Sequence, residues 1–316
     1  MNALIFLVVV FLSLGSAFMS TGALKRRHTS TRLEELSMSN VLIVGGTRFS
    51  GLYLWKELHA RGHSVTLFNR GKTALEKLPG RETDEEFDAR VKATTFITGD
   101  RKDVADMSNK LKAAGDFEVV YDLGGRERED TEPLVDALCG PDSTVKHFVY
   151  MSSAGVYKPS SPNFLPYNED SDVDAEKSRH KGKLHTEDML RERGVPFTSI
   201  RPTYIYGPLN YNPIEGYFFG RLDCPNPSEK GADSADSSTS AITSTMYPIC
   251  IPGHGQHLTG LGHVEDLATA MAQVIGRPQC IGQVYNVQVS LGLRLKGLFL
   301  HTAGILCNVE WCFRQL

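Results

Sequence analysis

The chain has 316 residues, 41% of them hydrophobic and 22% charged, with a formal net charge of −3. These are the proportions of an ordinary globular protein, and they exclude a polyanion binder acting through global charge, so any nucleic-acid contact needs a local basic patch. Six cysteines, at 139, 224, 250, 280, 307 and 312, contain no Cys-x-x-Cys pair, which excludes a dense disulfide scaffold and favours reduced thiols.

The first forty residues read as an address. Leu4 to Leu12 is an unbroken apolar run followed by the small-residue site Gly15-Ser16-Ala17. The run is too short to span a bilayer and suits a signal-peptide core. Phe18 then opens a Ser/Thr-rich stretch carrying Lys25, Arg26, Arg27 and Arg32, the composition of a transit segment. The sequence resembles a two-part plastid presequence. Residues 1–17 are expected to be a signal peptide and 18–39 a transit segment, with the mature chain in the chloroplast stroma and free of membrane. Plain secretion is the alternative.

From Asn40 strand and helix alternate. Strands are predicted at Val41–Val44, Ser64–Phe68, Thr94–Ile97, Val119–Leu123 and His147–Met151. Helices are predicted at Ser50–Arg61, with Leu54, Trp55 and Leu58 inward, at Val104–Ala114 and at Glu132–Cys139. Continuous apolar strands between helices mean a parallel sheet covered on both faces. The fold class is therefore α/β, a Rossmann-type doubly wound sheet with its ligand crevice at the strands' carboxyl ends. Residues 40–200 form the nucleotide-binding domain. Residues 201–288 supply the rest of the sheet and an incomplete small carboxyl-terminal substrate lobe, with a Ser/Asp/Thr/Pro-rich flexible insert at 223–247. Residues 289–316 are an atypical tail whose leucines, from Leu291 to Leu300, have no evident partner. The acidic run Asp84-Glu85-Glu86, with Asp88, reads as a solvated loop.

The first strand leads into Gly45-Gly46-Thr47-Arg48-Phe49-Ser50-Gly51. Glycines in this setting let the backbone turn tightly and approach a pyrophosphate at the start of a helix. Arg48 replaces the usual middle glycine and adds a fixed cation. The second strand ends in Asn69-Arg70, where an NAD-preferring site would place a carboxylate. The Arg70 fork suits a 2′-phosphate, hence NADP or another phosphorylated ligand, with a solvated surface arginine as the alternative. Asp100, ahead of Arg101 and Asp103, can accept from an adenine amino group. His254, His257 and His263 have no carboxylate or cysteine completing a ligand set, so no metal residues are assigned.

Several motifs carry a family resemblance. Gly99-Asp100-Arg101-Lys102-Asp103, Ser152-Ser153-Ala154-Gly155-Val156-Tyr157, Arg201-Pro202 with Tyr206-Gly207-Pro208, and Gly262-His263-Val264-Glu265-Asp266-Leu267-Ala268 resemble the extended, atypical short-chain dehydrogenase/reductases, the NAD-dependent epimerase/dehydratase family, across Asn40–Val287. The Gly45–Phe49 loop, Ser178–Lys183 and Tyr204–Pro213 are similar to the subgroup of chloroplast stem-loop binding proteins, RNA-associated relatives of sugar-nucleotide epimerases. In the redox enzymes of this group a tyrosine lies four residues before the active-site lysine, one helical turn away, and the lysine's charge lowers the phenol's pKa. Here Lys183 and Ser153 match, but position 179 is arginine, whose guanidinium stays protonated and relays no proton. Ordinary dehydrogenase activity is thus disfavoured, with Tyr157 or Tyr204 as candidate substitutes.

The resemblance implies a catalytic trio of Ser153, Arg179 and Lys183. A basic run of Arg179, His180, Lys181 and Lys183 is expected to contact RNA, with Arg48, Arg70 and Arg101 on the same rim. Tyr204, Tyr206 and Tyr211 are either stacking faces for unpaired bases or packing residues. The subgroup also implies magnesium-dependent RNA cleavage, with Asp100, Asp103 and Asp122 gathering Mg²⁺; the spacing alone does not suggest it. The leading expectation is a plastid RNA-binding protein that stabilises or cleaves transcripts and keeps an NAD(P) pocket. The alternative is an NADP-dependent epimerase, dehydratase or reductase acting on a sugar nucleotide or small metabolite. A third reading is a non-catalytic, cofactor-sensing scaffold that assembles with itself or with relatives.

Overall fold

Strand β1 (Asn40–Val44) explains why its sequence has no polar alternation. Val41 and Ile43 enter one hydrophobic cluster and Leu42 and Val44 another, all of them buried. A strand covered on both faces needs apolar residues at every position. The computed structural model describes residues 38–158, 167–212, 216, 258–288 and 293–294.

After β1 the chain runs through α1 (Ser50–Ala60), β2 (Ser64–Asn69), α2 (Asp84–Lys92), β3 (Thr95–Thr98), α3 (Val104–Ala113) and β4 (Val119–Asp122). It continues through α4 (Arg128–Leu138), β5 (His147–Met151), α5 (Lys181–Glu192), β6 (Phe197–Pro202) and β7 (Tyr204–Tyr206). Next come β8 (Leu258–Thr259), β9 (Leu261–His263), α6 (Val264–Gln273), β10 (Val284–Val287) and β11 (Leu293–Arg294). Seven strands form one sheet in the order β10-β6-β5-β4-β1-β2-β3, with every pairing parallel. Helices α1 and α6 cover one face with Leu52, Trp55, Leu58, Leu267 and Met271. Helices α3, α4 and α5 cover the other with Met107, Leu111, Leu134, Met189 and Leu190. The chain winds outward from β1 to β3, then returns to place β4 on the other side of β1. That reversal is the switch point where a doubly wound sheet opens a crevice. The expected fold class therefore holds.

Two segments differ from expectation. The acidic run at 84–86 is not a loop but the first turn of α2. Thr83 Oγ1 accepts from the Glu86 N–H at 3.2 Å, and Glu86 Oε2 accepts from the Thr83 N–H at 2.8 Å, a reciprocal capping box. Three carboxylates there also face the positive end of the helix dipole. Helix α4 starts at Arg128, before the expected Glu132, and passes through Pro133. The proline gives up one i→i−4 hydrogen bond. The presequence through residue 37, the insert at 223–247 and the tail other than Leu293–Arg294 lie outside the described residues. Among the described residues no helix is long and apolar enough to cross a membrane.

A buried ion pair fastens the helix behind the crevice to the sheet. Glu187 on α5, 2% exposed, accepts from Arg201 Nε at 3.1 Å, from Arg201 Nη2 and from Ser199 Oγ at 2.6 Å. Arg201 Nη1 also donates to the Tyr157 hydroxyl at 3.1 Å, which donates to Asn286 Oδ1 at 2.7 Å on β10. Removing one partner of such a pair leaves an uncompensated buried charge. Glu187→Ala is expected to cost roughly 3–5 kcal/mol, read as a lower urea midpoint; a cost near zero would show that the pair does not hold α5 in place.

Candidate functional site

The loop after β1 is shaped by its glycines. Gly45 has φ +105°, a region open to glycine. A Cβ on Gly51 would lie 2.6 Å from Gly46 Cα, so the start of α1 rests on the loop's own backbone. Phe49 holds φ +37° and is buried. The first turn of α1 has neither an acidic residue nor a side-chain cap, which leaves its positive end for an anion. The residues present therefore fit the diphosphate of a dinucleotide.

This loop opens into a cleft of about 760 Å³ at the carboxyl ends of the strands. Phe49 and Ser50 come from the loop, Leu123, Gly124, Arg126 and Glu127 from the segment after β4, and Met151, Ser152 and Ser153 from the end of β5. Arg179, His180 and Lys183 line it from the start of α5, and Pro202 to Ile205 with Asn210, Tyr211 and Asn212 close it. The expected trio of Ser153, Arg179 and Lys183 thus shares one wall. Ser153 Oγ accepts from the Gly155 N–H at 3.1 Å and caps the short turn at Ala154–Val156.

Lys183 does not reach solvent as an RNA contact would require. It is 9% exposed, and its Nζ donates to Gly125 O at 2.5 Å and Met151 O at 2.6 Å. Burial lowers its pKa to about 8, against the opposing pull of Asp122. The phenol ring of Tyr150 packs against it, with its centroid 5.0 Å from Nζ. Its hydroxyl donates to Gly125 O at 3.0 Å, and burial pushes its pKa far up, so it cannot stand in for the missing acid/base. Tyr157 is held by Arg201 and Asn286. Tyr204 lines the cleft, and its hydroxyl donates to Asn212 O at 3.1 Å.

Position 179 is not one helical turn from Lys183 as expected. Helix α5 starts at Lys181 with His180 as its N-cap, so Arg179 precedes the helix. The exposed Arg179 donates from Nε to His180 Nε2 at 3.1 Å, which requires that ring nitrogen to be unprotonated. Burial, followed by the charges of Arg179, Lys183 and Arg126, lowers the His180 pKa. His180 is therefore a neutral member of the basic run. Lys181 is exposed but is not among the residues lining the cleft. Arg126, exposed on the cleft wall, is the cation that sequence reasoning missed, although its place just past β4 at the switch point was a usable signal.

Arg101 is corrected more sharply. It was expected on a cationic rim, but it makes a bidentate pair with Asp122 at 2.9 and 2.8 Å and also donates to Asp130 O. Asp122, fully buried, accepts from Thr131 Oγ1 at 2.7 Å and from the Gly124 and Gly125 N–H groups. Burial would raise the Asp122 pKa, yet Arg101 and these donors hold it below the usual range. Asp122 therefore has no oxygen to offer Mg²⁺. Asp103 caps α3 and Asp100 accepts from the Lys102 N–H. Among the described residues no three His, Cys, Asp or Glu gather to hold a metal. Asn69 accepts from the Gly71 N–H at 2.8 Å, and Arg70 is exposed at the end of β2, outside the cleft lining. His263 caps α6, its ring edge-on to Tyr206. His254 and His257 lie outside the described residues.

The desolvated amine has a measurable signature. Competition labelling with acetic anhydride, read by peptide mass spectrometry, should give Lys183 a midpoint near pH 8. Because the folded state binds this proton less tightly than the unfolded chain, the amine's contribution to stability grows as pH rises from about 8 toward the ordinary lysine value of about 10.4. A labelling midpoint at the ordinary value would show that Nζ is not desolvated.

Residues 41–287 match the profile of the NAD dependent epimerase/dehydratase family. The chain is 43% identical over 263 residues to the chloroplast stem-loop binding protein of 41 kDa b of Arabidopsis thaliana, covering 83% of this chain and 62% of that one. It is 26% identical over 203 residues to the chloroplastic divinyl chlorophyllide a 8-vinyl-reductase of Cucumis sativus, covering 59% of this chain and 44% of that one. The chain therefore spans less than two thirds of either curated relative. Among solved structures, a putative epimerase from Burkholderia cenocepacia aligns with a TM-score of 0.65 at 18% identity, covering 87% of this chain and 84% of that one. The Bordetella bronchiseptica enzyme WbmH in complex with NAD+ aligns with a TM-score of 0.62 at 20% identity, covering 88% and 86%. At those identities the likeness shows a shared fold. With the sheet, the glycine loop and a profile match across nearly all the described residues, the chain belongs to the NAD dependent epimerase/dehydratase family.

Proposed function

We propose that this chain is a plastid RNA-binding protein that retains a dinucleotide cleft and stabilises or processes plastid transcripts. One observation carries the reading: a permanent cation, Arg179, lines the wall beside Lys183, while the nearby phenol of Tyr150 is committed to a backbone carbonyl. Among the described residues, the phenol against Lys183 is thus not free to relay a proton in hydride-transfer chemistry. The name of the Arabidopsis relative, a chloroplast stem-loop binding protein, supports the plastid address and a stem-loop partner, which we read as RNA. In this reading Arg126 and Arg179 meet phosphates on the cleft wall, Lys181 adds a contact outside it, and Tyr204 and Tyr211 offer faces to bases. Lys183 supports the wall from behind. The glycine loop and the first turn of α1 hold an NAD-type dinucleotide, and the exposed Arg70 at the end of β2 suits a 2′-phosphate. Bound there, the nicotinamide would supply hydride chemistry. The aspartates expected to gather magnesium do not fit it, so no cleavage step is drawn through that metal.

The presence of Ser153 and Lys183 in the cleft favours a second reading, an epimerase, dehydratase or reductase of a small metabolite. Substrate-dependent change in nicotinamide absorbance, abolished by Ser153→Ala, would select it.

The RNA reading is tested with the variant Arg126→Ala/Arg179→Ala/Lys181→Ala. Gel-shift titration against a stem-loop RNA should show at least about tenfold weaker binding. The slope of log affinity against log salt should become shallower by about two, since each lost single-strand phosphate contact removes roughly 0.7. Unchanged affinity and slope would reject the reading.

A further inference from the structure

The groups assigned to RNA and those assigned to a dinucleotide line the same cavity. Phe49 and Ser50 of the phosphate loop share it with Arg126, Arg179 and Tyr211. Tyr211 joins the two sets. It is 66% exposed, with the Arg48 guanidinium 4.7 Å over its ring and the Phe49 ring edge-on at 6.3 Å. A second tie, from the Tyr53 hydroxyl on α1 to Pro208 O at 3.4 Å, holds the Tyr211 loop against the same helix. One face of that ring is thus covered by the loop cation that would attend a diphosphate, so the contacts of the two ligands meet at Tyr211. Cavities of about 300–1,000 Å³ enclose one drug-sized molecule, so this one has room for a dinucleotide or for one or two unpaired nucleotides, and not for a paired stem. Two polyanions in one partly desolvated cleft would also repel strongly.

We propose that unpaired RNA nucleotides and an NAD-type dinucleotide exclude each other from this cleft, so that cofactor occupancy sets whether the protein holds RNA. The inference rests on the RNA-binding reading above and adds its ligand class and its regulation. RNA enters as a single-stranded segment, with phosphates against Arg126 and Arg179 and a base on Tyr211. The dinucleotide, held by Arg48 and the start of α1, fills the same cavity beside Phe49 and Ser50 and leaves no volume for RNA nucleotides.

The test uses the mature chain from residue 38, a fluorescein-labelled twelve-residue oligouridylate as probe, and NAD+ or NADP+ at matched ionic strength. Calorimetry without RNA gives the dinucleotide's own Kd, and anisotropy gives the probe's. The probe's apparent Kd should rise linearly with free dinucleotide, roughly tenfold at a concentration of about nine times the dinucleotide's Kd. Tyr211→Ala should weaken the probe severalfold. A probe affinity that plateaus or ignores bound dinucleotide overturns the exclusion and leaves the RNA reading standing. Failure of either dinucleotide to bind also overturns the exclusion alone. No probe binding at low salt overturns both.

Discussion

A fully buried carboxylate at the end of β4 organises the crevice. Asp122 ties the segment after β3, through Arg101, to α4, through Thr131, and fixes the turn at Gly124 and Gly125 through their N–H groups. With its charge compensated on several sides, the ion is tolerable at zero exposure. The turn it fixes aims the Gly125 carbonyl at two further donors, Lys183 Nζ and the Tyr150 hydroxyl. One unit of charge thus sets the backbone from which the far wall of the cleft is hung.

That arrangement gives Lys183 a structural duty. The ammonium of Lys183 satisfies two carbonyls, from Gly125 and Met151, and losing it would orphan buried acceptors. Position 179 has no such duty: it precedes α5, is exposed, and touches its neighbour His180. The chemistry there is free to change while the scaffold around Lys183 stays constrained.

The sheet was legible chiefly because strands buried on both faces, such as β1, β4 and β5, leave nearly uninterrupted apolar runs, whereas the edge strand β3 is mostly exposed. The glycine loop was legible for a similar reason, since backbone contact as close as that of Gly51 on Gly46 tolerates no side chain. Helix α2 carried a readable Thr83-x-x-Glu86 signal, outweighed by the acidity of the run. Partners were harder. Sequence shows that Arg101 is charged but not that Asp122, twenty-one residues later, consumes it. Likewise nothing local to Lys183 shows that two carbonyls from other strand ends surround it. Arg126 was overlooked because it stands in a segment without a motif, and only the turn at Gly124–Gly125 brings it to the cleft.

The contact between Gly51 and the loop backbone has one more consequence. With the helix already seated against Gly46, α1 cannot slide along its axis to greet an arriving anion, and the loop has little freedom left to surrender. Recognition at this spot proceeds by lock rather than by moulding, so the ordering entropy that weakens many flexible phosphate grips is small here. A ligand is accepted there by matching a backbone shape that is already standing.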